Sequence, residues 1–162
     1  LDEVLPGRRG LALSAAPLLG PFVAGHVPGA LLLAPDEEAG RWVRAAAEAA
    51  ALDHAVCLKE RRGDRDVAVS LHGAPVRGRH VVVLDDVAST GRTLAAAARA
   101  AFAAGATGVD VAVTHALFVG DAFAHVGAAG VRRVWSSDCV PHASNALSVV
   151  PLLTRALERI LG

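Results

Sequence analysis

Apolar positions along this chain fall into two rhythms. Short apolar runs stand at 30–35 (ALLLAP), 54–59 (HAVCLK), 80–85 (HVVVLD), 109–115 (VDVAVTH) and 131–135 (VRRVW). Each is too short for a helix and rich in Val or Leu, as a strand buried on both faces requires. Between them lie segments with helical periodicity: 37–51, 91–104, 119–127 and 151–161. Asp36 stands at the N-cap position of the first, and Gly105 closes the second. Residues 66–71 (DVAVSL) alternate instead, which predicts an exposed strand on a hairpin or flap. Strands alternating with helices predict an α/β fold, a mostly parallel sheet flanked by helices on both faces.

In such sheets ligands bind beyond the carboxyl ends of the strands. Asp36, Lys59, Asp85 and Asp86 all fall at or just past a predicted strand end. The stretch 81–94, VVVLDDVASTGRTL, is the most telling. Four apolar residues run into two aspartates, then into the small turn Ala88-Ser89-Thr90-Gly91, and Arg92 and Thr93 lead into an alanine-rich helix. A helix opening there aims backbone N–H groups and hydroxyls at one spot, with the helix dipole behind them, and a phosphate monoester suits it. Asp85 and Asp86 precede that spot, where carboxylates can accept hydrogen bonds from vicinal sugar hydroxyls or bind Mg²⁺. Phosphate and diol together describe a ribose 5-phosphate site. The plainer alternative is a strand–turn–helix in which the aspartates only cap.

Residues 81–94 resemble the phosphoribosyl-diphosphate (PRPP) loop of the type I phosphoribosyltransferase fold. Arg92 departs from the most familiar form of that loop, where Gly is common, and Ser89 stands where many members carry Asp. A second pattern extends the resemblance. Residues 13–19 read LSAAPLL and residues 147–153 read LSVVPLL, identical at five of seven positions, with Ser14 and Ser148 standing 134 residues apart (148 − 14). Such a repeat marks the ends of two duplicated domains. With LLLAPDEE at 31–38, VAVTHALFVGDA at 111–122 and LSVVPLLTRA at 147–156, the chain resembles the second domain of the ribose-phosphate diphosphokinase (PRPP synthetase) family.

The resemblance implies a reaction in which the C1 hydroxyl of ribose 5-phosphate attacks the β-phosphorus of MgATP, giving PRPP and AMP. It implies that Lys59 and Arg61, matching a K-x-R pattern, open a flexible catalytic loop that continues through Arg62 and Arg65 to Asp66. Lys59 is the only lysine among 16 basic residues. Asp36 is implied as a Mg²⁺ ligand, Asp85 and Asp86 as ribose-binding, and Ala88, Ser89, Thr90, Gly91, Arg92 and Thr93 as the phosphate loop. Homo-oligomerisation of the full-length protein is implied too. Two other readings stay open: a salvage phosphoribosyltransferase that consumes PRPP, and a non-catalytic regulatory paralogue. No candidate aromatic segment for stacking a nucleobase supports the former, and the intact polar set argues against the latter.

Composition narrows this further. Hydrophobic residues make up 53% but aromatics only 4%, so the core is expected to be built from Ala, Val and Leu. Sixteen basic residues balance sixteen acidic ones, so no global field favours nucleic acid or an anionic membrane. Cys57 and Cys139 stand far apart without CxxC spacing, as expected of a reducing, cytoplasmic setting. Arg8-Arg9 and the uncharged run at 11–35 imitate an export signal or membrane span, but Pro17, Pro21 and Pro28 interrupt that run. Trp42 and Trp135 are expected in the core or an interface, His115 as a satisfied buried histidine, and Asp138 is a further candidate facing the site. The chain contains no Met and opens on Leu1, so it is expected to be the downstream piece of a longer product. The expected division is 1–28, a connector and short helix ending an upstream domain, and 29–162, a phosphoribosyltransferase-like domain.

Overall fold

The computed structural model describes residues 11–61, 67–71 and 73–161. Arg8, Arg9, Arg62, Arg65 and Asp66 lie outside the described residues. Six strands form one parallel sheet: β1 (Leu31–Ala34), β2 (Asp53–Val56), β5 (His80–Ala88), β6 (Gly108–Ala116), β7 (Val134–Ser137) and β8 (Asn145–Leu147), in the order β2-β1-β5-β6-β7-β8. A separate antiparallel hairpin pairs β3 (Leu58–Arg61) with β4 (Val67–Ser70). The helices are α1 (Ala16–His26), α2 (Gly40–Ala50), α3 (Arg92–Ala103), α4 (Ala122–Ala128) and α5 (Val150–Leu161). No helix among the described residues is long and apolar enough to cross a membrane.

The central strands are apolar on both faces because helices cover both. Leu31, Leu33, Val81, Val83, Val109, Val111 and Val113 pack with α3 and α4. Their alternates Leu32, Ala34, Val82, Leu84 and Ala112 pack with α1 and α2. Few aromatics are needed, because alanine-faced helices sit close to the sheet: Ala95, Ala97, Ala98 and Ala101 of α3 are all fully buried. Close packing is strictest where α1 meets α2. A Cβ on Gly20 would lie 1.9 Å from the Ala46 carbonyl oxygen.

Several boundaries differ from the sequence expectations, each for a physical reason. The run 54–59 is divided at Cys57 into β2 of the main sheet and β3 of the hairpin, so Lys59 lies within a hairpin strand rather than at the end of a sheet strand. The expected exposed strand at 66–71 is the second arm of that hairpin. The central strand runs three residues past Asp85, to Ala88, because β6 continues beside it to Ala116. The helix expected at 37–51 starts at Gly40. The Asp36 carboxylate accepts the Ala39 N–H at 3.1 Å, capping the turn before the helix instead of the helix itself. The short strand β8 was not expected. An Asn145 side chain bonded to the Ser136 hydroxyl (2.8 Å) and the Ser137 carbonyl (2.7 Å) holds it to β7.

Candidate functional site

The order of the strands locates the site before any side chain is considered. From β1 the chain passes outward to β2, then crosses to β5 on the other side of β1. The carboxyl ends of β1 and β5 therefore flank the topological switch point, where crossovers leave in opposite directions and open a crevice. Asp36 follows β1, and Asp85 and Asp86 lie near the end of β5. All three line one concavity, together with Glu38, Arg41 and Trp42.

The electrostatics of this crevice are unusual. Burial pushes the Asp85 carboxyl up to about 7, a hydrogen bond from the Asp86 N–H (2.9 Å) opposes it, and the charges of Asp86 and Asp36 raise it further. Like charges have been gathered here, a pattern common where a ligand or cation brings the compensation. Asp36 also reaches the neighbouring strand electrically. The buried Cys57 thiol is pushed up to about 12, first by burial and then by the Asp36 charge, so it is an unreactive thiol.

A tight turn and a helix start follow the carboxylates along the chain. Beyond Ala88 the chain turns through Ser89 and Thr90 to Gly91, and α3 begins at Arg92 with no side chain capping it. Its first N–H groups are thereby left for another acceptor. Ser89, Thr90, Arg92 and Thr93 are exposed there, whereas Ala88 is buried and contributes its backbone. The loop is pinned by three bonds: the Ala88 carbonyl accepts the Leu117 and Phe118 N–H groups at 3.0 and 2.9 Å, and the Ser89 carbonyl accepts that of Val119 at 3.0 Å. Gly91 is required twice over. Its φ is +69°, and a Cβ would lie 2.8 Å from both the Ala122 carbonyl oxygen and the Val126 side chain.

Further residues border the carboxylates without having been singled out for the site. A cavity of roughly 150 Å³ is lined by Asp85, Asp86 and Thr114, with Leu13 and Ser14 ahead of α1 on its other side. His115, expected to be buried, is half-buried and lines this cavity. Trp42 is half-buried and lines both concavities, with the Arg41 guanidinium 4.1 Å from its ring centroid. The signal for Trp42 was its place in the first turn of the helix after β1, which a parallel sheet sets beside the strand ends. Trp135 is in the core as expected, edge-on to Phe22. Asp138 is engaged elsewhere: the Ser148 hydroxyl and the Val149 N–H (2.8 Å) hold its carboxyl below the usual range at the start of α5. Lys59 and Arg61 occupy hairpin positions paired with Val69 and Val67.

Among the described residues no group of three or more His, Cys, Asp or Glu side chains is arranged to close around a metal ion. Mg²⁺ does not require one, since it takes one or two carboxylates and keeps several waters. The mutual repulsion of Asp36, Asp85 and Asp86 fits a hard cation in the crevice.

The phosphoribosyl transferase domain family matches residues 30–122, which include β1, β5, the loop and α3. This chain belongs to that family. It is 36% identical over 149 residues to the ribose-phosphate pyrophosphokinase of Methanosarcina acetivorans, covering 91% of this chain and 53% of that protein. Among solved structures, the phosphoribosylpyrophosphate synthetase of Mycobacterium smegmatis superposes with a TM-score of 0.73 at 23% identity, over 91% of this chain and 50% of that one. The orotate phosphoribosyltransferase of Aeropyrum pernix superposes with a TM-score of 0.62 at 22% identity, over 89% and 75%. At these identities the structural likenesses speak for the fold, which is that of the type I phosphoribosyltransferases. The chain spans about half the length of the curated relatives it matches.

Proposed function

We propose that this chain is the C-terminal half of a ribose-phosphate diphosphokinase, which transfers the pyrophosphoryl group of MgATP to the C1 hydroxyl of ribose 5-phosphate. The observation that carries the reading is the placement of Asp85 and Asp86 at the switch point, between Asp36 and the uncapped start of α3. The curated relative's name and the hairpin bearing Lys59 and Arg61 favour a synthetase over a transferase that consumes PRPP.

In this reading the backbone of the 88–91 turn and the first turn of α3 receive the 5-phosphate, with Ser89, Thr90 and Thr93 as hydroxyl donors and Arg92 as a cation at the helix start. Asp85 and Asp86 accept hydrogen bonds from the ribose hydroxyls, which fixes the sugar and aims its C1 oxygen out of the crevice. Lys59 and Arg61 bring positive charge to the nucleotide phosphates as charge develops. Asp36 would hold Mg²⁺, which would supply charge neutralisation at the nucleotide phosphates. Catalysis of this kind rests on positioning and electrostatics rather than covalent chemistry. The enzyme is read as cytoplasmic and homo-oligomeric in its full-length form. The 162 residues alone are expected to bind phosphate or ribose 5-phosphate with little or no turnover.

The test is AMP release by the full-length gene product from ribose 5-phosphate and MgATP. Release that depends on ribose 5-phosphate and falls about 10²–10³-fold in Lys59→Ala supports the reading. Pyrophosphate release from PRPP and a nucleobase, without AMP formation, would assign the protein to the salvage transferases instead. Silence in both assays would leave the regulatory paralogue.

A further inference from the structure

The turn at 88–91 is braced from a distant part of the chain. Phe118 donates its N–H to the Ala88 carbonyl at 2.9 Å, and it does so with φ at +33°, a left-handed conformation that a bulky residue rarely adopts. Such a backbone persists only where its surroundings enforce it. Here the surroundings are rings. Phe118 is buried, lies edge-on to Phe123 of α4 with centroids 5.2 Å apart, and meets the His142 ring at 5.0 Å. His142 and Phe123 stand 5.2 Å apart, which closes the triangle. His142 is in turn fixed from behind. Its Nδ1 accepts the Ser144 N–H at 3.1 Å and stands 2.7 Å from the Ser144 hydroxyl. That hydroxyl lies 2.8 Å from the Ser136 hydroxyl, which accepts the Asn145 side-chain amide at 2.8 Å. An N–H can only donate, so Nδ1 is an acceptor, and the donors then run one way from Asn145 through Ser136 and Ser144 to the ring. Ser136 and Ser144 are buried, and a buried hydrogen-bonded chain of this kind makes the group at its end rigid.

We propose that His142 is a positioning residue for ribose 5-phosphate: oriented by Asn145, Ser136 and Ser144, its ring wedges Phe118 into the left-handed backbone that holds the turn at 88–91 in shape. The proposal rests on the reading of that turn as the 5-phosphate site. Phe118 sits between Leu117 and Val119, and the three N–H groups grip the carbonyls of Ala88 and Ser89 at 2.9–3.0 Å. A trans peptide unit is planar, with its N–H pointing away from its carbonyl. Gripping the Ala88 and Ser89 carbonyls on one side therefore aims the Ser89 and Thr90 N–H groups at the other, where the phosphate is received. Phe123 anchors the same turn at its far end, because α4 begins at Ala122, whose carbonyl lies against Gly91. His142 acts through Phe118 rather than on the ligand.

The experiment uses the full-length polypeptide, with ribose 5-phosphate and MgATP titrated separately by calorimetry. In His142→Ala the dissociation constant for ribose 5-phosphate is expected to rise about tenfold, and that for MgATP to stay within about twofold, because a displaced positioning group penalises only the ligand it positions. His142→Phe, which keeps a ring, should recover most of that loss. Hydrogen exchange adds a readout that needs no ligand. The Leu117, Phe118 and Val119 amides should exchange about tenfold or more faster in His142→Ala, with those of β1 unchanged. Cys139→Ala, exposed in the same segment and outside the hydrogen-bonded chain, should alter neither measurement. Unchanged ribose 5-phosphate affinity in His142→Ala, an equal weakening of MgATP, a His142→Phe variant no better than the alanine one, or faster exchange spread evenly over the sheet would each overturn the proposal. Wild-type protein that does not bind ribose 5-phosphate would bring down the proposed activity, and this proposal with it.

Discussion

The two ends of the central sheet treat a sequestered carboxylate in opposite ways. At the amino end, Asp110 is fully buried on β6, yet every demand of its charge is met. The Arg133 guanidinium donates at 2.7 Å, the Arg133 N–H at 3.0 Å, and the His80 ring sits 2.8 Å away. At the carboxyl end, Asp85 is less deeply placed, but its company is Asp86 and Asp36 and its protein donor is one N–H group. One carboxylate is compensated by basic partners within the chain, and the other is surrounded by carboxylates of its own sign. The deeper of the two is the better compensated, because the neighbouring charges differ in sign.

The largest test of that contrast is Asp110→Ala, which strips the Arg133 guanidinium, the Arg133 N–H and the His80 ring of the acceptor they share. Stability in urea is expected to fall by about 3 kcal/mol, and a loss below about 1 kcal/mol would mean the cluster is ornamental. Gly91→Ala probes the other end through its backbone. With φ at +69° and a backbone oxygen 2.8 Å from the new Cβ, a loss of about 2 kcal/mol is expected, together with loss of phosphate binding by calorimetry.

Asp85→Asn should act in the opposite sense. A carboxyl raised in the folded state contributes stability that is complete below its unfolded value and lost as pH rises toward about 7. The wild-type protein therefore loses stability between about pH 4 and 7, and the Asn variant does not. With solvent screening allowed for, the variant should gain about 1–2 kcal/mol on wild type at pH 8 and much less at pH 4. Equal urea midpoints at pH 8 would end the claim of stored repulsion. The smallest effect is expected of Arg79→Ala, which breaks an exposed pair with Asp53 and a bond to the Gly29 carbonyl at the structural end. About 0.5 kcal/mol should be lost, and 1 M salt should erase much of the difference.

Much of the site was legible because its chemistry is written locally. The 81–94 stretch carries strand, carboxylates, turn and helix start in contiguous residues, and the structure keeps them in that order. The strand end at Ala88 was misplaced because it depends on β6, whose paired residue Ala116 stands 28 positions later (116 − 88), continuing alongside. The break at Cys57 was hidden because an apolar run reads the same whether one strand or two, and only the sheet that each half joins tells them apart. His115 was expected to be buried because an isolated histidine carries no local sign of which cavity it borders, and Trp42, expected in the core or an interface, packs on the core and lines the crevice as well.

By itself the sequence determined the α/β class, the two-sided apolar sheet and the acidic pair beside a helix start, since these follow from short-range periodicity and adjacency. Tertiary structure decided that Asp36 and Asp85, 49 residues apart (85 − 36), share one crevice. It also decided that the rings of Phe118 and His142, 24 residues apart (142 − 118), pack on one another. Strand order and helix docking depend on contacts between distant segments, and no local pattern of polar and apolar residues encodes which segments will meet.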